Sequence, residues 1–329
     1  MKRIVVGIAM LLGAVSGVAG AQGQSQPNTQ CIDQVTEVED ACQKAVDLFD
    51  YMMPQLGSAM AGGNPTLGQG TTLGGFPHFQ IGLRLTGVFG SVPKLDEPGV
   101  APGTTGAQQT NYLTEDVPIP MPAVDLSIGI LRDIPLPLVG GLDVLVSAAY
   151  VPSFEEEEIK LEVDSPLKIG FGARLALLND VPALPTITIS YLQRGLPTMD
   201  LLAVPQDDSI FINDFEVNTQ SWRIIASKKL LFFTLALGAG QDTYDAETNV
   251  SAIVNEGAVR AAFGTEGGGA PFPFDQEVVR TNLFANIKLF GIAAEIGQVS
   301  GGDINTYNTY EAEPDKARLY ASVGFRFGF

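Results

Sequence analysis

Residues 318–329 read RLYASVGFRFGF, and this stretch decides the fold class. Leucine, alanine, valine and three phenylalanines occupy the odd positions, whereas arginine, tyrosine, serine and glycine occupy the even ones. A period of two residues is typical of a β-strand whose two faces meet different surroundings. Small and cationic residues on the polar face indicate a crowded interior, because a solvent-facing sheet would carry more lysine and glutamate. The apolar face then predicts contact with lipid.

The same alternation recurs upstream in segments of about ten residues, the length of a tilted membrane strand. We therefore predict an all-β fold, a transmembrane antiparallel up-and-down β-barrel of about ten strands. In the alternative with twelve strands, residues 246–256 contribute to an additional pair. The alternation of the sixth strand breaks near Trp222. The predicted strands are residues 78–90, 122–131, 141–151, 167–178, 184–194, 211–226, 230–243, 276–287, 291–300 and 316–329.

The connectors between these strands alternate between short and long. Each of the five long connectors is net acidic, and the chain as a whole has a formal charge of -18. Short periplasmic turns and long external loops are typical of bacterial outer-membrane barrels. The acidic balance argues against nucleic acid as a partner, because binding to nucleic acid needs a basic surface.

The N-terminus predicts secretion. Lys2 and Arg3 precede an apolar stretch that ends in Ala-Gly-Ala at residues 19–21, the pattern of a cleavable signal peptide. We therefore divide the chain into a signal peptide (residues 1–21), an N-terminal periplasmic or plug segment (residues 22–77) and an outer-membrane β-barrel (residues 78–329). Within the second part, residues 33–53 have helical spacing, Pro54 is expected to end the helix, and residues 57–75 form a coil.

The chain has two cysteines, Cys31 and Cys42. A cysteine pair in an exported protein is expected to form a disulfide, because the compartment is oxidising. A zinc site would need more ligands, and we predict no metal ion and no cofactor. The sole histidine, His78, lies at the presumed periplasmic start of the first strand. We therefore expect no catalytic residues and no enzyme activity, since the usual general base is missing from the expected positions.

Charged residues on the polar faces of the strands are candidates to line the lumen. One interpretation is a constriction that selects solutes by charge. The other is a set of ion pairs that fills a narrow barrel or holds the N-terminal segment as a plug, because charges within low-dielectric walls must be paired. The candidates are Arg84, Asp125, Asp143, Lys168, Arg174, Arg194, Arg223, Glu295, Arg318 and Arg326.

Two stretches resemble known families. The last strand, with Phe329 at the terminus, resembles the C-terminal signal of bacterial outer-membrane proteins, which implies the barrel-assembly machinery as a partner. Gly62-Gly63-Asn64-Pro65, followed by a glycine-rich coil, resembles the Asn-Pro-containing hatch of the long-chain fatty-acid transporter family. That likeness implies a plugged, porin-like barrel through which hydrophobic molecules pass, although the barrel of that family is larger.

Together these features predict a protein of the Gram-negative outer membrane, in contact with its lipid and lipopolysaccharide. The expected function is a narrow transport channel for small or hydrophobic molecules, gated by the N-terminal segment. The alternative is a sealed structural or surface-interaction barrel whose acidic loops face the exterior.

Overall fold

In a computed structural model, ten long antiparallel strands close into a ring. The structure describes residues 26–32, 36–67, 69–94, 106–132, 140–155, 159–178, 184–204, 208–256 and 259–328. The ring strands are β1 (Phe79–Pro93), β2 (Thr114–Leu131), β3 (Leu142–Tyr150), β4 (Leu167–Leu178), β5 (Thr186–Gly195), β6 (Ser209–Leu230), β7 (Phe233–Glu256), β8 (Pro273–Leu289), β9 (Ile292–Ser300) and β10 (Arg318–Gly328).

Each ring strand pairs with its neighbours in sequence, and β1 pairs with β10 to close the barrel. The closing register places Gln80 opposite Gly328 and Val88 opposite Tyr320. The predicted fold class and the ring of ten strands are thus confirmed. The alternative with twelve strands is wrong, because residues 246–256 are the far end of β7 and continue its pairing with β6 and β8.

Burial alternates along every long strand, so that the barrel has an apolar outer face and a polar inner face. On β10, Leu319, Val323, Phe325 and Phe327 are exposed, whereas the residues between them point inward. The alternation does not break at Trp222, contrary to the prediction. Its side chain is 54% exposed on the outer face, between buried Ser221 and Arg223. Apolar side chains outside and polar ones inside are what a membrane-spanning barrel requires.

The sequence predicted that the long connectors are loops. In the structure, several of them instead contain short strands that extend the sheet at one end of the barrel. Short strands at Phe154–Glu155, Ile159–Val163 and Met199–Ala203 continue the sheet from β6, and Val259–Phe263 pairs with β7. A further two-stranded parallel pair joins Asn111–Tyr112 to Thr309–Tyr310. These short strands form a superstructure at the long-connector end. The described part of the short-turn end includes tight turns such as Leu231–Phe232, between β6 and β7.

Two helices precede the barrel, α1 (Thr29–Ile32) and α2 (Thr36–Ala61). The prediction that Pro54 ends the helix is wrong, because α2 continues through it for seven residues. Gln55 donates a side-chain hydrogen bond to the Tyr51 carbonyl at 3.2 Å, and the Ser58 hydroxyl donates to the Pro54 carbonyl. These bonds and the burial of residues 57–61 offset the bond that proline cannot make. No helix in the described residues is long and apolar enough to cross a bilayer.

Candidate functional site in the barrel lumen

The lumen of the barrel is occupied by α2. Side chains on all sides of this helix are buried, including the polar Gln43, Lys44 and Asp47 as well as Phe49 and Met53. The helix also contacts strands on opposite sides of the ring, namely β1, β2, β5, β6, β7 and β8. A helix that is buried all round and touches opposite walls lies within the ring of strands.

The helix runs from the long-connector end of the barrel down into its middle. Near its start, the Asp47 carboxylate accepts hydrogen bonds from the Asn308 amide at 2.8 Å and the Tyr307 amide at 3.1 Å, both in the connector before β10. Asp40 accepts a bond from the Gln108 amide, in the connector before β2. The first half of α2 is therefore level with the long connectors.

Burial changes the pKa of the acid at this anchor. It raises the pKa of Asp47 to about 6, although hydrogen bonds from Asn308, Tyr307 and Gln43 lower this pKa. Desolvation disfavours the charged carboxylate, and these donors compensate only in part. The anchor is thus an acid whose charge changes in a physiological range of pH.

The predicted disulfide is confirmed. Cys31 of α1 and Cys42 of α2 are bonded, with their Cα atoms 5.5 Å apart. Nearby, Tyr310 stacks on Tyr51 of the helix and on Tyr112, with ring centroids 4.2 and 5.5 Å apart. The disulfide joins α1 to the first part of α2, and the tyrosine stack packs the middle of α2 on the superstructure.

The C-terminal part of α2 packs closely against β7. A Cβ atom added at Gly57 would lie 2.6 Å from the ring of Tyr244, so only glycine allows this approach. The hydroxyl groups of Ser58 and Tyr244 are 3.4 Å apart and share a hydrogen bond.

The C-terminal end of α2 meets three arginines of the barrel wall. Arg194 donates to the Ala61 carbonyl through Nη2 at 2.7 Å, and Arg223 Nη2 donates to the same oxygen. Arg84 Nη1 donates to the Gly62 carbonyl at 3.2 Å. The last carbonyls of a helix have no intrahelical partner and carry the negative end of its dipole, so cations at this position satisfy and stabilise them.

Three of the buried wall arginines are also paired with carboxylates. Arg84 binds Asp125 through Nε at 2.8 Å and Nη2 at 3.2 Å. Arg223 Nη2 lies 3.1 Å from Asp242, and Arg174 forms a short ion pair with Asp143. Such pairing is necessary, because an unpaired charge inside the barrel would carry a large desolvation cost.

A coil continues from the helix to the short-turn end. The Gln69 carbonyl accepts a bond from Arg174 Nη1 at 3.0 Å, and the Leu73 amide donates to Asp143 at 3.0 Å. Gly70 packs so closely on β6 that a Cβ atom there would lie 2.6 Å from the Cβ atom of Ser227. The arginines and aspartates of the wall therefore hold both the helix end and the coil.

The structure places nine of the ten predicted lumen residues on the inner face of the barrel, each with at most 6% of its surface exposed. Lys168 differs: it lies at the rim, its side chain is 35% exposed, and it pairs with Glu216 at 2.9 Å. The buried nine are Arg84, Asp125, Asp143, Arg174, Arg194, Arg223, Glu295, Arg318 and Arg326. Glu295 accepts a bond from the Tyr320 hydroxyl at 2.9 Å, and Arg318 donates to the Glu313 carbonyl.

Sequence reasoning missed several inner residues, among them Asp242 on β7 and Arg280 on β8, both fully buried. Arg280 Nη2 donates to the carbonyls of Asp315 and Lys316 at 2.9 and 2.8 Å. The period of two could have found both, because Asp242 follows the inward positions 238 and 240, and Arg280 lies between two outward residues, Val279 and Thr281. The signal peptide and Phe329 lie outside the described residues, and their roles stay predictions.

No protein-family model and no curated protein matches the sequence. Among solved structures, the chain is similar to the translocator domain of the autotransporter NalP from Neisseria meningitidis. The identity is 8%, the match covers 88% of this chain and 98% of that one, and the TM-score is 0.38. It is also similar to OccAB3 from Acinetobacter baumannii, with 8% identity, coverage of 77% and 100%, and a TM-score of 0.19. The outer membrane protein OpdK from Pseudomonas aeruginosa has 8% identity, coverage of 76% and 99%, and a TM-score of 0.16.

These comparisons concern the barrel architecture alone and carry no argument about function. The likeness of Gly62-Gly63-Asn64-Pro65 to the fatty-acid transporter hatch stays a prediction.

Proposed function

We propose that the protein is an outer-membrane channel for small molecules that is closed at rest by residues 36–75 of its own chain. The observation that carries this proposal is the convergence of Arg84, Arg194 and Arg223 on the carbonyls that end α2. At the end of α2, the wall binds the plug through side-chain bonds to backbone oxygens. Water and solute can replace such bonds when the segment leaves.

The two faces of the barrel support a position in a membrane. The outer face presents a band of exposed apolar side chains, including Leu83, Leu237, Leu283, Ile296 and Phe327. About ten residues per strand within this band match the thickness of a hydrocarbon layer. The short turns then face the periplasm, and the long acidic connectors face the exterior, where they meet lipopolysaccharide. Assembly would use the barrel-assembly machinery.

The composition of the inner wall favours a channel over a barrel filled by its own side chains. At the short-turn half, the inward positions of β1 to β5 hold Ser127, Ser147, Thr186 and Thr188 together with charged pairs. A wall of short polar side chains leaves room for a separate segment, and it is wettable once that segment is gone. The width of the channel suits small solutes, and a hydrophobic solute remains part of the proposal. We propose no catalytic role.

A second candidate function is a sealed barrel that displays its acidic connectors to partners. It is favoured by the apolar packing of the upper half of α2, where Phe49 meets Phe215 edge to face at 5.5 Å. Val38, Val46 and Met53 belong to the same buried cluster as Met199 and Ile210 of the superstructure. This packing would resist withdrawal of the helix.

Conductance separates the two functions. We would refold the protein from residue 22 onward and a variant lacking residues 22–74, and record both in planar bilayers. Heat-modifiable gel migration would establish that each barrel is folded. A channel requires that ionic current appears or rises in the deletion variant. Absence of ionic current in both proteins, with both barrels folded, would contradict the channel and favour the sealed barrel.

A further inference from the structure

Among the described residues, the short-turn end of the lumen has more cations than carboxylates. Arg84, Arg174 and Arg223 are paired with aspartates, and Arg194 binds backbone carbonyls of the helix end. Two further cations point into the lumen, Arg326 on β10 and Lys288 on β8. No ion pair joins either one to a carboxylate in the described part of the chain.

Arg326 is buried with unused hydrogen-bonding capacity. Its residue surface is only 6% exposed, yet Nη1 and Nη2 have no partner among the described residues. The opposite residue on β1 is Gly82, where a Cβ atom would lie 3.1 Å from the Cγ atom of Arg326. The absence of a side chain at Gly82 leaves the arginine room to turn into the lumen. A buried guanidinium with unused donors is costly unless a ligand accepts from it.

Charges of both signs act on Arg326, and the strongest interaction is the attraction of Asp125. Arg174 and Arg84 act on it, and the strongest charge interactions of Lys288 are those with Arg326, Arg174 and Lys229, all of them repulsive. Two acids, Asp125 and Glu295, also act on Arg326.

Neither acid forms an ion pair with Arg326 in the described part of the chain, although Oε2 of Glu295 has no hydrogen-bond partner there. The Asp125 oxygens already accept bonds from Arg84 and Ser147, and Glu295 accepts a bond from the Tyr320 hydroxyl. Arg194, Arg326 and Lys288 lie outside the ion pairs, and Glu295 is the one acid near them that does as well. This excess of positive charge among the described residues attracts an anion.

We propose that Arg326 and Lys288 bind a small oxyanion such as phosphate at the short-turn end of the lumen. The two free Nη groups of Arg326 form the planar fork that matches two oxygens of a phosphate, and Lys288 adds a mobile point charge. Lys288 is only partly buried, so the ligand can enter from the short-turn side. The site goes beyond the proposed function, because it lies beyond the end of α2 and exists while the lumen is closed.

The test measures binding of inorganic phosphate to the full-length mature protein, refolded in detergent and a phosphate-free buffer. Titration calorimetry would give the affinity of the unmodified protein, of Arg326→Gln and of Lys288→Gln. Arg132→Gln is the matched control, because Arg132 is an exposed arginine at the same end of the barrel. We expect saturable binding that weakens about tenfold or more in Arg326→Gln and less in Lys288→Gln, with no change in the control.

A second measurement distinguishes loss of the binding site from misfolding of the variants. Phosphate should raise the melting temperature of the unmodified protein and of Arg132→Gln but not that of Arg326→Gln, because only a ligand of the folded state stabilises it. Each variant must keep its heat-modifiable migration. Absence of saturable binding to the unmodified protein would overturn the proposal. Equal affinity of a folded Arg326→Gln variant would overturn it as well.

Discussion

If the protein is the proposed channel, replacing Arg194 by methionine should open it without unfolding the barrel. Arg194 donates to the carbonyls of Ala61 at 2.7 Å and Gly63 at 3.4 Å, and no carboxylate in the described residues forms an ion pair with it. Its removal therefore leaves no orphaned acid in the wall. Methionine keeps much of the side-chain volume, and the cost of burying an unpaired cation disappears. The substitution therefore weakens the attachment of the helix end and not the fold of the barrel.

The size of the effect follows from the bonds that are lost. A hydrogen bond to a charged group contributes about 1.5–3 kcal/mol, and the bond to Gly63 is too long to add much. Since 1.4 kcal/mol corresponds to about a tenfold change in an equilibrium, the ratio of open to closed channels should rise roughly ten- to hundredfold. Lys168→Met is the control, because it removes a cation at the rim that pairs with Glu216 and not with the plug.

The assay is single-channel recording at fixed voltage, with open probability as the measured quantity. The melting temperatures of the unmodified protein and both variants would be compared in detergent. The reasoning is refuted if Arg194→Met has the open probability of the unmodified protein. It is equally refuted if Lys168→Met raises the open probability by the same factor, because the effect would then be one of charge at the rim.

Three further predictions concern the plug. Replacing Cys31 and Cys42 by serine should cost about 3 kcal/mol of stability at the start of the helix and make that region cleavable by protease, while the gel migration of the barrel is unchanged. Gly57→Val should force the helix away from the ring of Tyr244 and increase the ionic current. Gly87→Ala is the control and should leave the current unchanged, because its added Cβ atom would have no neighbour within 4 Å. Because burial raises the pKa of Asp47 to about 6, the contribution of this group to stability is complete below the unfolded value of 3.8 and is lost as the pH rises through 6. Protease resistance of the helix should therefore be higher at pH 5 than at pH 8, and a resistance that rises with pH would contradict this assignment.

The strands could be predicted from the sequence because the alternation of apolar and polar residues is visible within each strand alone. The alternation in residues 318–329 reflects two environments that lie on either side of a single strand, so no distant contact is needed to detect it. The same holds for the inner positions of Arg84, Arg174 and Arg194. The Cys31–Cys42 pair followed from the number of cysteines and the compartment.

Other features depend on distant parts of the chain and could not be predicted locally. The continuation of α2 past Pro54 requires the barrel that buries residues 57–61. The strands at Met199–Ala203 and Val259–Phe263 exist because β6 and β7 extend beyond the ring and offer them free edges. The contacts of Arg194 and Arg223 with Ala61 join residues more than 130 positions apart, so no local pattern records them.

The most direct test of the closed lumen is a disulfide between Gly70 of the coil and Ser227 of the wall, both replaced by cysteine. A Cβ atom at Gly70 would lie 2.6 Å from the Cβ atom of Ser227, so that a small adjustment gives bonding distance. The account predicts that the oxidised Gly70→Cys/Ser227→Cys variant forms this bond, as detected by mass spectrometry, and never opens in planar bilayers. Reduction should restore the gating that the unmodified protein has in the same reductant. Failure of the two cysteines to cross-link, or unchanged currents through the cross-linked barrel, would contradict the claim that this segment closes the channel.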